Sequence, residues 1–300
     1  MRKSRRSKPQ AARVTRALLQ EWPLPRPQGG DDKNARGSVL VVGGEVSLPG
    51  AVVLAGIAAL RAGAGKLQIA TCRSIAPLVG IAVPESLSLG LDETADGNIS
   101  AGSASALSDL IAKADALLIG PGMKGHDGER KFVSALIEIR DKSPIILDAG
   151  ALDTLADSPS ALQRFGDSSV ITPHAGEMSR ITGRSEQEIQ DNPEEIAIDA
   201  ASTLNAIVVL KGSRTYIASP DGDLFCYDAG DVGLATSGSG DTLAGVIAGL
   251  VARGAIPLHA SLWGVFLHGS AGNRLAKRIG RIGYLARELL DEIPPIMNRV

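Results

Sequence analysis

From residue 38 to residue 227 the sequence keeps exchanging short β-branched runs for longer stretches with helical spacing, and this exchange constrains the fold more than any other feature. Short apolar runs bounded by Gly, Pro or Asp read as buried strands. Strands that alternate with helices build a parallel sheet covered on both faces. Ser38–Val42, Lys66–Ala70, Ala116–Ile119, Pro144–Leu147, Val170–Thr172 and Ile207–Leu210 are predicted as strands. Thr215–Ala218 and Leu224–Tyr227 are predicted as a hairpin across the turn sequence Ser219-Pro220-Asp221-Gly222. Ala51–Arg61, Arg130–Arg140, Glu194–Leu204, Thr242–Val251 and His259–Arg278 carry apolar or small residues at three- and four-residue intervals, which predicts helices. The expected fold is α/β, a three-layer α/β/α sandwich on a mainly parallel central sheet.

Three hundred residues, 44% of them hydrophobic, suffice for one large core, so residues 13–300 are expected to form a single domain. Aromatic residues are only 3% of the chain while Gly is abundant, so small side chains must bring helices and sheet close together. Residues 1–12 read as a basic, disordered tail. Setting aside Arg2, Lys3, Arg5, Arg6 and Lys8 leaves 26 basic against 33 acidic residues, a net charge of −7. An acidic body lacks the clustered Lys and Arg that a nucleic-acid groove needs. No apolar segment follows the basic residues, and no uninterrupted apolar stretch could span a bilayer, so no membrane partner and no secretion are expected. Cys72 and Cys226 match no metal or CxxC spacing, which fits a reduced, cytoplasmic setting.

Several predicted strands end in residues with chemical potential. Val42 runs into Gly43-Gly44, Ile119 into Gly120-Pro121-Gly122, Leu147 into Asp148, Thr172 into Pro173-His174 and Leu210 into Lys211-Gly212. Parallel strands bring these ends to one edge, where ligands of open α/β sheets bind. The most specific stretch is Thr236-Ser237-Gly238-Ser239-Gly240-Asp241-Thr242-Leu243-Ala244-Gly245, a glycine loop entering an apolar helix. Such a loop lets backbone N–H groups approach phosphate, and the helix start adds about half a positive charge. It is neither a P-loop nor a dinucleotide fingerprint. A carboxylate beside a bound phosphate is repulsive unless it has a task. At a helix start the ionised form of Asp241 is expected to be favoured, ready to accept a hydroxyl proton, although spacing alone leaves a simple helix cap equally open.

The Gly238-Ser239-Gly240-Asp241 loop resembles that of the ribokinase-like superfamily, whose members phosphorylate small hydroxyl substrates with such an Asp as base. Gly43-Gly44 before Pro49-Gly50-Ala51, Ala58 to Gly65, Gly120-Pro121-Gly122-Met123, Leu147-Asp148-Ala149, Thr172 to Glu177 and Lys211 to Thr215 follow in order. As a set they resemble the ADP/ATP-dependent NAD(P)H-hydrate dehydratases, over roughly residues 13 to 293. The resemblance implies that Asp241 is the catalytic base and that Ala51, Gly122, His174 and Asp241 contact hydrated NADH or NADPH. It implies that Lys211, Gly212, Ser213, Arg214, Thr215, Ser239 and Gly240 hold the adenine nucleotide. No direct metal ligand is implied; Mg²⁺ is expected to arrive with ADP or ATP, with Glu177 reaching it through water. ADP is the favoured donor, and a homo-oligomer, a tetramer in particular, is expected. Taken alone, His174 and Lys211 stay open between structural and ligand-binding roles.

The chain departs from the family pattern at Ser237 in place of Gly, Ser239 in place of Thr, Ala175 in place of Pro and Gly150 in place of Asp. Ser237 is expected to restrict the loop's approach to phosphate, and Gly150 removes a carboxylate. An epimerase domain has no room, so a stand-alone dehydratase is expected. Two other functions fit the same residues. One is a superfamily kinase of a small hydroxyl compound such as a thiamine precursor, and the other is a non-catalytic dinucleotide sensor.

Overall fold

The computed structural model describes residues 11–26, 28, 32–141 and 143–300. Among the described residues ten strands form one sheet: β1 (Ala12–Arg13), β2 (Ser38–Val42), β3 (Lys66–Cys72), β4 (Ser86–Leu91), β5 (Ala116–Ile119), β6 (Ile145–Leu147), β7 (Ser169–Ile171), β8 (Ile207–Leu210), β9 (Thr215–Ala218) and β10 (Leu224–Tyr227). Their spatial order is β1-β10-β9-β8-β7-β6-β5-β2-β3-β4. From β8 to β4 every neighbouring pair is parallel, while β9 pairs antiparallel with both β8 and β10. The helices are α1 (Arg16–Glu21), α2 (Pro49–Arg61), α3 (Ala76–Ala82), α4 (Ser108–Lys113), α5 (Asp127–Ile139), α6 (Thr154–Asp157), α7 (Ala175–Thr182), α8 (Glu186–Asp191), α9 (Pro193–Leu204), α10 (Ser239–Ala252), α11 (Pro257–Arg278) and α12 (Ala286–Met297).

The expected three layers are present, and β2 shows why. All five of its residues are buried. Successive side chains of a strand point to opposite faces, so Val39 and Val41 enter one apolar core with α2, α10, α11 and α12, while Leu40 and Val42 enter the other with α5 and α9. Ile207 and Val209 of β8 divide from Val208 and Leu210 in the same way.

Small residues set the distance between α2 and α10. A Cβ on Gly249 would lie 2.3 Å from the Ala59 carbonyl oxygen, and one on Gly245 would lie 2.2 Å from that of Ala55. Neither helix can yield without leaving the sheet. Gly249→Ala is therefore expected to destabilise the fold by about 1–3 kcal/mol, the usual cost of overpacking. A chemical denaturation midpoint unchanged from the parent would contradict this packing.

The structure adds elements that periodicity did not mark. Strand β4 lies at the sheet edge with Ser and Leu alternating and only Leu91 fully buried, so it lacks the apolar run of a central strand. Strand β1 is a two-residue pairing of Ala12 and Arg13 with Phe225 and Cys226, strengthened by Arg13 on Asp228 at 2.7 Å. The tail expected over residues 1–12 thus reaches into an ordered strand at Ala12, and residues 1–10 lie outside the described residues. Helices α1, α3, α4, α6 and α8 have four to seven residues, too few to display a 3.6-residue period.

Candidate active site

The strand ends meet at one edge, as the parallel sheet requires. The Gly44 and Glu45 amides donate to the carbonyls of Pro121 and Gly122 at 2.8 and 3.1 Å, which joins the loops after β2 and β5. Gly122 has a φ of +73°, and a Cβ there would meet that of Ala51 at 3.0 Å. Ala51 and Gly122 therefore form one wall, with α2 beginning behind it.

Asp148, past the end of β6, is 2% exposed. Its Oδ1 accepts the Thr172 hydroxyl at 2.6 Å and the Lys211 ammonium at 3.0 Å. The Lys211 backbone amide donates to Pro173 at 2.8 Å, and Nζ lies 3.7 Å from Glu177 Oε2. Lys211 is thus held between two buried carboxylates rather than solvated. His174 caps α7: Nδ1 accepts the amides of Gly176 and Glu177 at 3.0 and 3.2 Å, and Glu177 Oε2 accepts the His174 amide at 2.7 Å. The His174 ring remains exposed, with Nε2 3.5 Å from Glu177 Oε1.

Gly238, with a φ of +85°, turns the chain into α10. Its left-handed conformation carries the tight turn. Ser237 is not among the positive-φ residues, so it carries no left-handed backbone strain. The Ser239 amide donates to Thr236 O at 3.2 Å and the Asp241 amide donates to its own carboxylate, which leaves the Gly240 amide open in the first turn. A Cβ on Gly240 would come 3.3 Å from Lys211 Nζ, so loop and lysine face one another.

Asp241 occupies the third position of α10 and is not its cap. Burial, followed by the charge of Asp148, pushes its pKa up to about 7 against the opposing pull of Lys211. The expectation that the helix start favours the ionised form is corrected here, because desolvation outweighs the helix field. A carboxylate that titrates near neutrality suits proton abstraction better than a fully ionised one.

Beyond Lys211 a cleft of about 1330 Å³ opens between the β8–β9 loop and helices α8 and α9. Lys211, Gly212, Ser213, Arg214 and Tyr216 line one side, with Asn192, Pro193 and Glu194 opposite. Thr215 opens β9 and is not among the lining residues. Gly150 has no space for any side chain: a Cβ would lie 2.4 Å from the Gly125 amide nitrogen. The loop after β5 packs directly on it, which accounts for that departure.

The family model described as NAD(P)H-hydrate dehydratase matches residues 39–295. This chain belongs to the NAD(P)H-hydrate dehydratase family. It is 47% identical over 292 residues to the ADP-dependent (S)-NAD(P)H-hydrate dehydratase of Xanthomonas campestris, covering 97% of this chain and 98% of that one. Its structure is similar to that of the Bacillus subtilis ADP/ATP-dependent NAD(P)H-hydrate dehydratase co-crystallised with ATP/Mg²⁺, with a TM-score of 0.83, 32% identity and coverage of 96% and 98%. A ribokinase-like superfamily protein of Enterococcus faecalis shares the fold, with a TM-score of 0.81, 24% identity and coverage of 96% of each chain.

Within this dehydratase family frame, the structure brings Ala51 next to Gly122, His174 next to Lys211 through a parallel bridge, and Lys211 next to Gly240. The sequence reading gave no role to Asp148, although Leu147-Asp148 marked a strand end. It also passed over His268 on α11, whose Nε2 lies 2.9 Å from Ser239 Oγ. An isolated His between Leu267 and Gly269 in a long helix carries no local signal of a loop 29 residues away. The two cysteines are free thiols, as expected.

Proposed function

We propose that this chain converts the (S)-hydrate of NADH or NADPH back to the reduced coenzyme, with ADP or ATP as phosphoryl donor. The observation that carries the reading is Asp241, a half-buried carboxylate with its pKa pushed up to about 7, in the first turn of a helix whose Gly240 packs against the Lys211 ammonium. The ring hydroxyl of the hydrate is a poor leaving group until it is phosphorylated. Asp241 accepts the hydroxyl proton, the hydroxyl oxygen bonds to the terminal phosphorus, and the bond from that phosphorus to the nucleotide's bridging oxygen breaks. The Gly240 amide faces the charge that develops. The ring-nitrogen lone pair then expels phosphate, and loss of the neighbouring ring proton restores the dihydropyridine.

The nucleotide lies along Lys211, Gly212, Ser213 and Arg214 toward Gly240, with Thr215 supporting that segment from β9. The wall formed by Ala51 and Gly122 and the Nε2 edge of His174 receive the hydrated dinucleotide. Among the described residues no group of three or more His, Cys, Asp or Glu side chains could hold a metal. Glu177 places Oε2 on the His174 amide and Oε1 3.5 Å from His174 Nε2, and a water on this carboxylate would reach Mg²⁺ carried on the nucleotide phosphates. When bound there, Mg²⁺ neutralises charge on the transferring phosphoryl group.

Each hydrate, offered with ADP or ATP, tests this reading: recovery of near-ultraviolet coenzyme absorbance with release of inorganic phosphate is expected. A stable phosphate ester would make the chain a kinase of a small hydroxyl compound instead. Absence of turnover with every pair would overturn the enzyme reading and leave the dinucleotide sensor. Turnover should fall as pH drops below about 7, because Asp241 accepts a proton only when ionised. Asp148→Asn removes a charge that raises this pKa, so the acid limb of kcat should move to lower pH; an unmoved limb would assign it to another group.

The reading includes a cytoplasmic homo-oligomer, a tetramer in particular. No helix among the described residues is long and apolar enough to cross a membrane. Exposed Leu78 and Ile81 of α3 beside Leu87 of edge strand β4 support association between copies.

A further inference from the structure

We propose that His268 is a positioning residue for the phosphoryl-transfer loop, holding Ser239 so that the serine hydroxyl proton is directed at the donor phosphate. The proposal rests on the reading of residues 238–241 as the phosphate cradle. His268 projects from α11, and its Nε2 lies 2.9 Å from Ser239 Oγ and 3.1 Å from the Ser239 carbonyl oxygen. A carbonyl oxygen only accepts. An unprotonated Nε2 at that distance would set two lone pairs against each other, so Nε2 carries the hydrogen and shares it between the two oxygens. Ser239 Oγ is then an acceptor toward His268, and its own O–H has no other partner among the described residues.

The backbone fixes the rest of this residue. Its amide is tied to Thr236 O, and it precedes Gly240, whose Cα faces Lys211 Nζ. Ser239 is 5% exposed, so its hydroxyl, held on one side by His268, keeps its proton for a group brought against the start of α10. Burial, with the nearby Lys211 charge, pushes the His268 pKa down to about 4, so the ring is neutral at physiological pH and acts through geometry rather than charge.

A double-mutant cycle with His268→Phe, His268→Gln and Ser239→Ala tests the proposal on the intact enzyme, reading kcat and the nucleotide KM separately. Ser239→Ala is expected to raise the nucleotide KM about tenfold, the worth of one hydrogen bond to a charged group. His268→Phe should do the same in the parent and add little on top of Ser239→Ala, while His268→Gln, which keeps a donor near the Nε2 position, should recover most of the loss. A damaging Ser239→Ala combined with an equal His268→Phe effect in both backgrounds would overturn the role of His268. A harmless Ser239→Ala would instead overturn the cradle reading at Ser239. If His268→Phe does not fold, ring ¹⁵N shifts of the parent decide, assigned by the signal lost in His268→Gln. The Nε2–H tautomer is expected, and an Nδ1–H tautomer would refute the arrangement.

Discussion

Asp241→Asn is expected to lower kcat by about 10²- to 10⁴-fold, the usual contribution of a positioned general base, while the adenine nucleotide still binds. The amide keeps the shape of the side chain but cannot take the hydroxyl proton. Its effect on stability should have the opposite sign. Desolvation raises the folded-state pKa from 3.8 to about 7. The folded protein therefore holds this proton more tightly than the unfolded chain does, and stability is lost as pH rises from near 4 through 7. At pH 8 the parent carries a half-buried charge that Asn lacks. Asp241→Asn should accordingly melt at a higher temperature than the parent at pH 8, with the difference shrinking toward pH 4. Near-parental turnover would remove Asp241 from the chemistry. A variant that melts lower at pH 8 would show that the carboxylate is not desolvated as described.

Lys211→Met is expected to be the most destabilising substitution in the site, at about 3–5 kcal/mol, because it leaves a buried pair without its cation. Asp148 is 2% and Glu177 is 6% exposed, so neither carboxylate can turn to solvent. Breaking such a pair costs more than the pair contributes, since the desolvation of the remaining charge is no longer offset. Urea denaturation would measure the loss, and adding Asp148→Asn to Lys211→Met should restore part of it by removing the orphaned charge. The same substitution bears on catalysis. Lys211 lowers the Asp241 pKa, so any folded Lys211→Met enzyme should show its acid limb displaced to higher pH and a raised nucleotide KM. A fully additive double mutant would mean that Lys211 and Asp148 do not support each other.

Much of the fold was legible because its determinants are local. Val39 to Val42 and Ile207 to Leu210 announce central strands through unbroken apolar runs, and the glycine loop at Gly238 announces a helix start. Edge strand β4 is less legible because it meets solvent and because Ser and Gly, weak strand formers, interrupt its three leucines. The candidate site was legible as a set of segments at strand ends, but not as an arrangement. Lys211 alone reads as a solvated strand-end lysine. Only its 3.0 Å contact with Asp148, 63 residues away, makes it part of a buried charge network. Gly150 likewise looked like a lost carboxylate until the Gly125 backbone was found packed on it.

The sequence by itself determined the two-sided burial of the sheet, the edge at which the strand-end loops gather and the glycine turn that opens α10. Each of these follows from residue period, from backbone freedom, or from the direction of parallel strands. Tertiary structure alone decided the protonation of Asp241, the partner of Lys211 and the contact between His268 and Ser239. Desolvation and charge pairing depend on distances between segments far apart in the chain, and no local pattern encodes those distances.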